Sequence, residues 1–406
     1  MNLLTTPDES SGRATAAHWQ KPVLIVFCTM VVAGVVLGGA PSSPGWQTMV
    51  LALVASALLP LAHAAGAGER FAKLPLMVRV LAIAILVLPL LQLIPLPPAL
   101  LQTMGEGALR SAVLATLGLA DDWRPISVVP ATTLFAFAML LPPAAAFYAS
   151  LALDRRGRRT VVFAFLSIIL VAILVGLAQF GSKGTALDIY GTSHRGSFLG
   201  FFANRNHQGL MMAIAGAFAI YLAKDRIKRP SVAMATAILV SLVFLISSVG
   251  TASRAGIGLT LLGLAIAFYA RFVHGTMRWP VVVGGALTAA ATLYFVTFST
   301  TAQTALSRFS QIEENGRLEI WEKSAPLFEQ YLGVGAGIGS YTAIYPAIER
   351  LEDVNPLFFN RMHNDYLELI VEAGLPGLLI LLGGSICLAW AVLRGMRNGF
   401  EKGSFA

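Results

Sequence analysis

"NRMHNDYLELIVEAGLPG", residues 360–377, sets a histidine among an arginine, two asparagines and three carboxylates, directly before a nearly uncharged run at 374–393. An apolar run of that length is long enough to cross the hydrocarbon core of a bilayer. A titratable cluster at the mouth of a membrane span would be a site at a bilayer surface. Whether the run is a span decides the fold, and the rest of the chain answers that.

The chain has 406 residues, 56% of them hydrophobic and only 12% charged, with a mean hydropathy of +0.72. Soluble chains are about a quarter charged, and a water-facing fold cannot hide this much apolar surface. The net charge of +8 does not call for nucleic acid, because basic residues gather in the cytoplasmic loops of membrane proteins. Cys28 and Cys387 both lie in apolar runs, so neither a disulfide framework nor a zinc site is expected.

Spanning runs fall at 22–39, 47–66, 76–96, 131–152, 161–180, 207–223, 232–250, 256–272, 280–299 and 374–393. The fold expected is an all-α polytopic membrane protein of about ten transmembrane helices. The first run follows a polar tail, and Pro41 follows the only small-residue candidate cleavage site, so 22–39 reads as a retained helix. With the N-terminus inside, the short basic connections "ERFAK", "DRRGRR", "KDRIKR" and "RFVHGTMR" and the tail "RGMRNGFEKG" all fall on the cytoplasmic face, as the positive-inside rule requires.

The outer segments are then 97–130, 181–206, 251–255 and 300–373. The first is amphipathic and expected to lie along the membrane interface. The last holds 11 of the 21 carboxylates, and its aromatics argue for order. The organisation expected is a cytoplasmic tail (1–21), N-terminal helices (22–152), a catalytic membrane region (160–393) and a cytoplasmic tail (394–406).

Four outer segments carry polar groups that loop-charge statistics do not explain. "TASRAG" (251–256) puts Arg254 between Gly250 and Gly256; it reads as a snorkelling anchor or as an anion clamp, since guanidinium binds phosphate bidentately. "ENGRLEIWEKS" (314–324) places Arg317 and Trp321 at i and i+4, on one helix face, with an ion pair to Glu313 or Glu314 as the plainer role. "SHRGSFLGFFANRNHQG" (193–209) brings Arg195, Asn204, Arg205, Asn206 and His207 before an apolar helix; Asn206 reads as its N-cap. "GVGAGIGSY" (333–341) lacks the dinucleotide spacing and reads as backbone passing close to a neighbour. In the opening stretch, His363 reads as a general base with Asp365 or Glu368 as a partner for its ring. Asn364 and Asp365 serve equally as helix caps. His363, Asp365 and Glu368 as metal ligands are the rival reading.

Arginines for a diphosphate, a histidine base and aromatics for sugar faces point to glycosyl transfer from a lipid-linked donor. "FFANRNHQGL", "SRAG", "GRLEIW…GVGAGIGSY" and "HNDYLELIVEAGLPG", in this order over residues 160–393, resemble the O-antigen ligase and O-antigen polymerase superfamily. That resemblance implies a GT-C type glycosyltransferase of the bacterial inner membrane. It implies an undecaprenyl-diphosphate-linked saccharide donor used on the periplasmic side, a glycan or lipid A-core acceptor, surrounding membrane lipids, and neither metal nor other cofactor. By the same resemblance Arg254 and Arg317 match diphosphate-binding arginines that act together, His363 matches the base, and Arg195, Asn204 and His207 fall in a further polar motif. About ten spans is fewer than ligases of this type often have. A transporter or flippase is the competing class; it would place ionisable residues near the bilayer midplane.

Overall fold

The computed structural model describes residues 9–39, 45–105, 107–190, 197–273, 314–354 and 361–397. In chain order its helices are α1 (Glu9–Leu37), α2 (Trp46–Ala64), α3 (Ala67–Ala72), α4 (Leu76–Gln92), α5 (Pro98–Leu101), α6 (Gly107–Thr116), α7 (Pro130–Ala152), α8 (Arg155–Gly181), α9 (Arg205–Arg226), α10 (Pro230–Gly250), α11 (Arg254–Phe268), α12 (Glu314–Lys323), α13 (Ala325–Tyr331), α14 (Tyr341–Ile344) and α15 (Asp365–Arg397). Among the described residues, the strands are β1 (Pro95–Leu96) and β2 (Arg124–Pro125), an antiparallel pair.

Seven of the described helices are long and apolar enough to cross a bilayer: α1, α2, α7, α8, α10, α11 with its π-helical continuation, and α15. α4 is a shorter apolar helix. The protein is an all-α polytopic membrane protein. The run expected at 207–223 is α9, 22 residues long; Arg205, Asn206 and His207 in its first turn and Lys224, Asp225 and Arg226 in its last make it less apolar than the seven. The run expected at 280–299 lies outside the described residues.

The described residues form two compact units that interleave along the chain. One draws on 1–67, 145–312 and 394–406, the other on 68–144 and 313–393. In the first unit α9 packs against α10 and α11, and α1 against α2 and α8. α9 and α11 meet at Gly209 and Gly256, where a Cβ on either glycine would lie 2.7 Å from the other's Cα. Glycine at both positions is therefore what brings the two helix starts together. Below the crossing, Met212 and Phe244 pack with Phe198 and Phe202 in one core cluster, and Ile220, Leu245 and Leu264 pack in another.

In the second unit Ile320, Leu327, Tyr331, Tyr341, Tyr345, Met362 and Val371 form the core. Tyr331, Tyr341 and Tyr345 are thus core residues, with Trp321 and Phe328 packed against them, and burying such rings stabilises this unit. The glycine stretch 333–339 threads against α15. Gly335, Gly337 and Gly339 all have positive φ, which only glycine adopts freely. A Cβ on Gly335 would stand 2.2 Å from the Glu372 carbonyl oxygen, and one on Gly337 2.5 Å from Ser127 Oγ. The neighbour that this stretch passes is therefore α15 on one side and the segment before α7 on the other. Gln92, buried at the end of α4, donates to the Val334 and Glu372 carbonyls and accepts from the Ile338 N–H. α15 breaks at Gly374 (φ 59°, ψ −152°), two residues before Pro376, as those two residues lead one to expect. The strands β1 and β2 close the excursion at 97–123, which leaves Leu100, Val113, Leu117 and Trp123 exposed, a surface suited to the membrane interface.

Candidate functional site

In the second unit the site is built around the start of α15. Asn364 is its N-cap: Oδ1 accepts from the Tyr366 and Leu367 N–H groups at 3.1 and 3.2 Å. Two residues earlier, Met362 is fully buried. Its N–H donates to Glu368 Oε2 (3.0 Å), and its carbonyl accepts from Trp321 Nε1 (3.0 Å). His363 lies between these fixed points with φ +55°, and it is exposed. A left-handed backbone is uncommon for a residue other than glycine, and such strain gathers at functional sites. The local fold holds the residue on both sides and presents its ring to solvent.

The carboxylates near His363 do other work. Glu368, buried on the first turn and a half of α15, takes Arg361 Nη1 on Oε1 (2.5 Å) and the Met362 N–H on Oε2. Burial alone would lower the pKa of Arg361, but the hydrogen bond and charge of Glu368 outweigh it and hold the pKa raised, so Arg361 stays a cation. Glu372 Oε1 accepts from the Tyr341 N–H at 2.9 Å and ties α14 to α15. Asp365 is exposed at the first helical position, where a negative charge suits the helix dipole. Among the described residues the His363 ring makes no hydrogen bond or ion pair. Among the described residues, no group of three His, Cys, Asp or Glu stands ready to hold a metal ion. Desolvation pushes the Tyr341 hydroxyl up to about 12, so it stays protonated near neutral pH.

Trp321 is where the sequence places it, on α12, and its indole braces the His363 segment rather than standing free. Arg317 lies one turn earlier on the same helix. Arg361, not singled out from the sequence, is the partner of Glu368. Its signal was an i, i+7 spacing across a helix start, which periodicity rules do not flag.

In the first unit the polar motifs form a paired helix start. The N-cap of α9 is Asn204, not Asn206: Asn204 Oδ1 accepts from the Asn206 N–H at 2.8 Å. The chain turns helical two residues earlier than the apolar pattern suggests, and the side-chain oxygen of Asn206 is taken by Ser253 instead of by the helix start. Ser253 caps α11, its Oγ accepting from the Gly256 N–H at 3.0 Å. The same hydroxyl donates to Asn206 Oδ1 at 2.6 Å, so the two starts are bonded as well as packed. Arg205 and Arg254 are each the first residue of their helix and each partly buried. His207 is exposed in the first turn of α9. Gln208, one residue on, is fully buried and among the described residues has no partner for either amide atom, and buried polar side chains left unpaired are rare. Arg195 lies outside the described residues.

A cation at a helix N-terminus opposes the dipole by about 0.3–1 kcal/mol. Two such cations at adjoining starts oppose both dipoles, and a bound anion would offset that cost, because helix N-termini and guanidinium groups both favour anions.

No curated protein and no solved structure matches the chain. A family comparison does. The matching stretch takes in the Arg254 helix start, the Trp321 helix, the glycine segment and the His363 cap, and begins after the Asn204 motif. Residues 239–382 match the family described as O-antigen ligase, Wzy_C, and over that segment the chain is O-antigen ligase-like.

Proposed function

We propose that this protein is a glycosyltransferase of the bacterial inner membrane. It moves a glycan from an undecaprenyl-diphosphate-linked donor to an acceptor hydroxyl on the periplasmic side, as an O-antigen or exopolysaccharide polymerase or as an O-antigen ligase. The O-antigen ligase match supports a membrane protein that transfers lipid-linked glycan. The observation that carries the finer reading is the paired start of α9 and α11, with an arginine at the head of each helix.

In this reading Arg254, with Arg205 and the helix N–H groups, receives the diphosphate, and Arg317 acts on the same group. Asn206 holds the two starts together, and His207 lies beside them. The bond between the anomeric carbon and the diphosphate oxygen breaks, and charge builds on the leaving oxygen, where fixed cations are most effective. The acceptor oxygen bonds to the anomeric carbon as its proton passes to His363. Undecaprenyl diphosphate leaves with both bonding electrons. The leaving group is good enough that neither a covalent nucleophile nor a cofactor is needed. Asn364, Glu368 and Trp321 position the base through the backbone on either side of it, and exposed Asp365 is free to meet the acceptor.

The test is transfer by the purified protein in nanodiscs, with a synthetic undecaprenyl-diphosphate-linked saccharide and a chelator present. Arg254→Lys and Arg317→Lys should each impair turnover, because a point charge loses the bidentate geometry. Normal turnover in both would end the diphosphate reading. Activity abolished by chelator and restored by a divalent ion would replace the base mechanism with a metal one. Deleting the gene separates the two family activities: loss of all polymer on lipid A marks a ligase, and a single repeat on the acceptor marks a polymerase.

A further inference from the structure

The opposite ends of α9 and α11 meet the start of α8, and there the first unit holds a cavity. Its volume is about 410 Å³, within the ~300–1,000 Å³ of ligand pockets. Val162, Phe218, Leu222 and Ile266 contribute apolar wall; Arg155, Arg158, Arg159 and Arg271 line the rest. None of the groups proposed for glycosyl transfer lines it.

The four arginines are not satisfied alike. Arg155 and Arg159 share one buried carboxylate, Asp225, at 3.0 and 2.7 Å. The nearby Asp154 is taken up as the N-cap of α8, with Oδ1 2.6 Å from the Gly157 N–H. Arg158 donates only to carbonyls at the end of α7, those of Leu153 and Ser150. Arg271 lies over the Tyr221 ring at 4.5 Å, in the π-helical turn Tyr269–Val273 that continues α11; such turns recur at functional sites. Among the described residues, neither Arg158 nor Arg271 forms an ion pair. The Nε atoms of Arg159 and Arg271 are buried with no hydrogen-bond partner. Buried guanidinium N–H groups left unmade are costly, and an oxyanion is the acceptor they fit best.

We propose that this cavity binds an anionic phospholipid of the bilayer, with its phosphodiester against Arg158 and Arg271 and one acyl chain along the Phe218 and Ile266 wall. The apolar wall gives a free anion nothing to bury. A zwitterionic lipid brings a second, positive headgroup charge toward four arginines. An anionic lipid satisfies both halves of the cavity, and basic pockets between membrane helices are where such headgroups bind.

The experiment compares lipid retention by native mass spectrometry of the whole protein, released from nanodiscs holding equal amounts of phosphatidylglycerol and phosphatidylcholine. The wild type should retain phosphatidylglycerol in preference by at least about fivefold, the worth of one arginine near an anionic headgroup. Arg271→Gln should remove most of that preference, and Ala267→Phe, which fills the cavity but keeps every arginine, should lower phosphatidylglycerol retention. If Arg271→Gln does not yield a monodisperse protein, Ala267→Phe decides alone. Equal retention of the two lipids, an unchanged preference in either variant, or thermal stabilisation by inorganic phosphate as large as that by phosphatidylglycerol would overturn the proposal. Loss of transferase activity is not a readout here, so failure of this inference leaves the reading of the transferase site standing.

Discussion

Two asparagine-capped helix starts carry the most polar motifs in this chain, and they are built oppositely. α15 begins with Asn364 and follows it with Asp365 and Glu368; α9 begins with Asn204 and follows it with Arg205. Acids in a first turn agree with the helix dipole, and an arginine there opposes it. The fold therefore explains the carboxylates of the α15 motif: Asp365 suits the dipole, and Glu368 fixes Met362 and Arg361. Arg205, and Arg254 at the adjoining start of α11, run against their helix dipoles. Around α15 the His363 ring is exposed and makes no hydrogen bond among the described residues; around α9 and α11 an arginine heads each helix. A polar motif thus separates into scaffold and chemistry once each group's hydrogen bonds are known.

The sharpest break in that comparison is His363→Ala. The ring is exposed and adds little packing, so folding should be kept while turnover falls by roughly 10² to 10⁴, the usual size of general-base catalysis. Full turnover in lipid-linked donor assays would return His363 to the scaffold. Glu368→Ala should do the reverse. It strands the buried Met362 N–H and unpairs Arg361, lowering thermal stability by about 1–3 kcal/mol; an unchanged melting temperature would contradict the bracing role. Arg205→Gln should weaken donor binding yet leave stability level or slightly higher, by up to about 1 kcal/mol as the dipole conflict is relieved. A destabilised Arg205→Gln with normal donor KM would make that arginine structural after all. The mildest pair is Asn364→Ala and Asn204→Ala. Each removes a cap worth about 1 kcal/mol, and the loss should appear in stability; in activity it should appear only through the residue beside the cap.

Much of the second unit could be read in advance because its signals are local. The glycines at 335, 337 and 339 announce positive φ and close approach, and the break at Gly374 follows from Gly374 and Pro376 together. Asn364 was legible as a cap, since capping involves neighbours two and three residues on. Assigning the α9 cap was harder: Asn204 and Asn206 are both good caps, and it is Ser253, distant in sequence, that takes the Asn206 oxygen while Asn204 caps the helix.

By itself the sequence determined the membrane fold, the order of its helices and the list of residues from which a site had to be drawn. Those follow from apolar run length, loop charge and residue chemistry, all of which act over short stretches of chain. Only the tertiary structure decided that Ser253 bonds Asn206, that Gly209 lets α9 reach α11 at Gly256, and that Glu368 holds Arg361 rather than the His363 ring. It also decided that two units interleave along the chain. The physical reason is the same in each case: a carboxylate or hydroxyl has several acceptable partners, and packing of residues distant in sequence selects which one it meets.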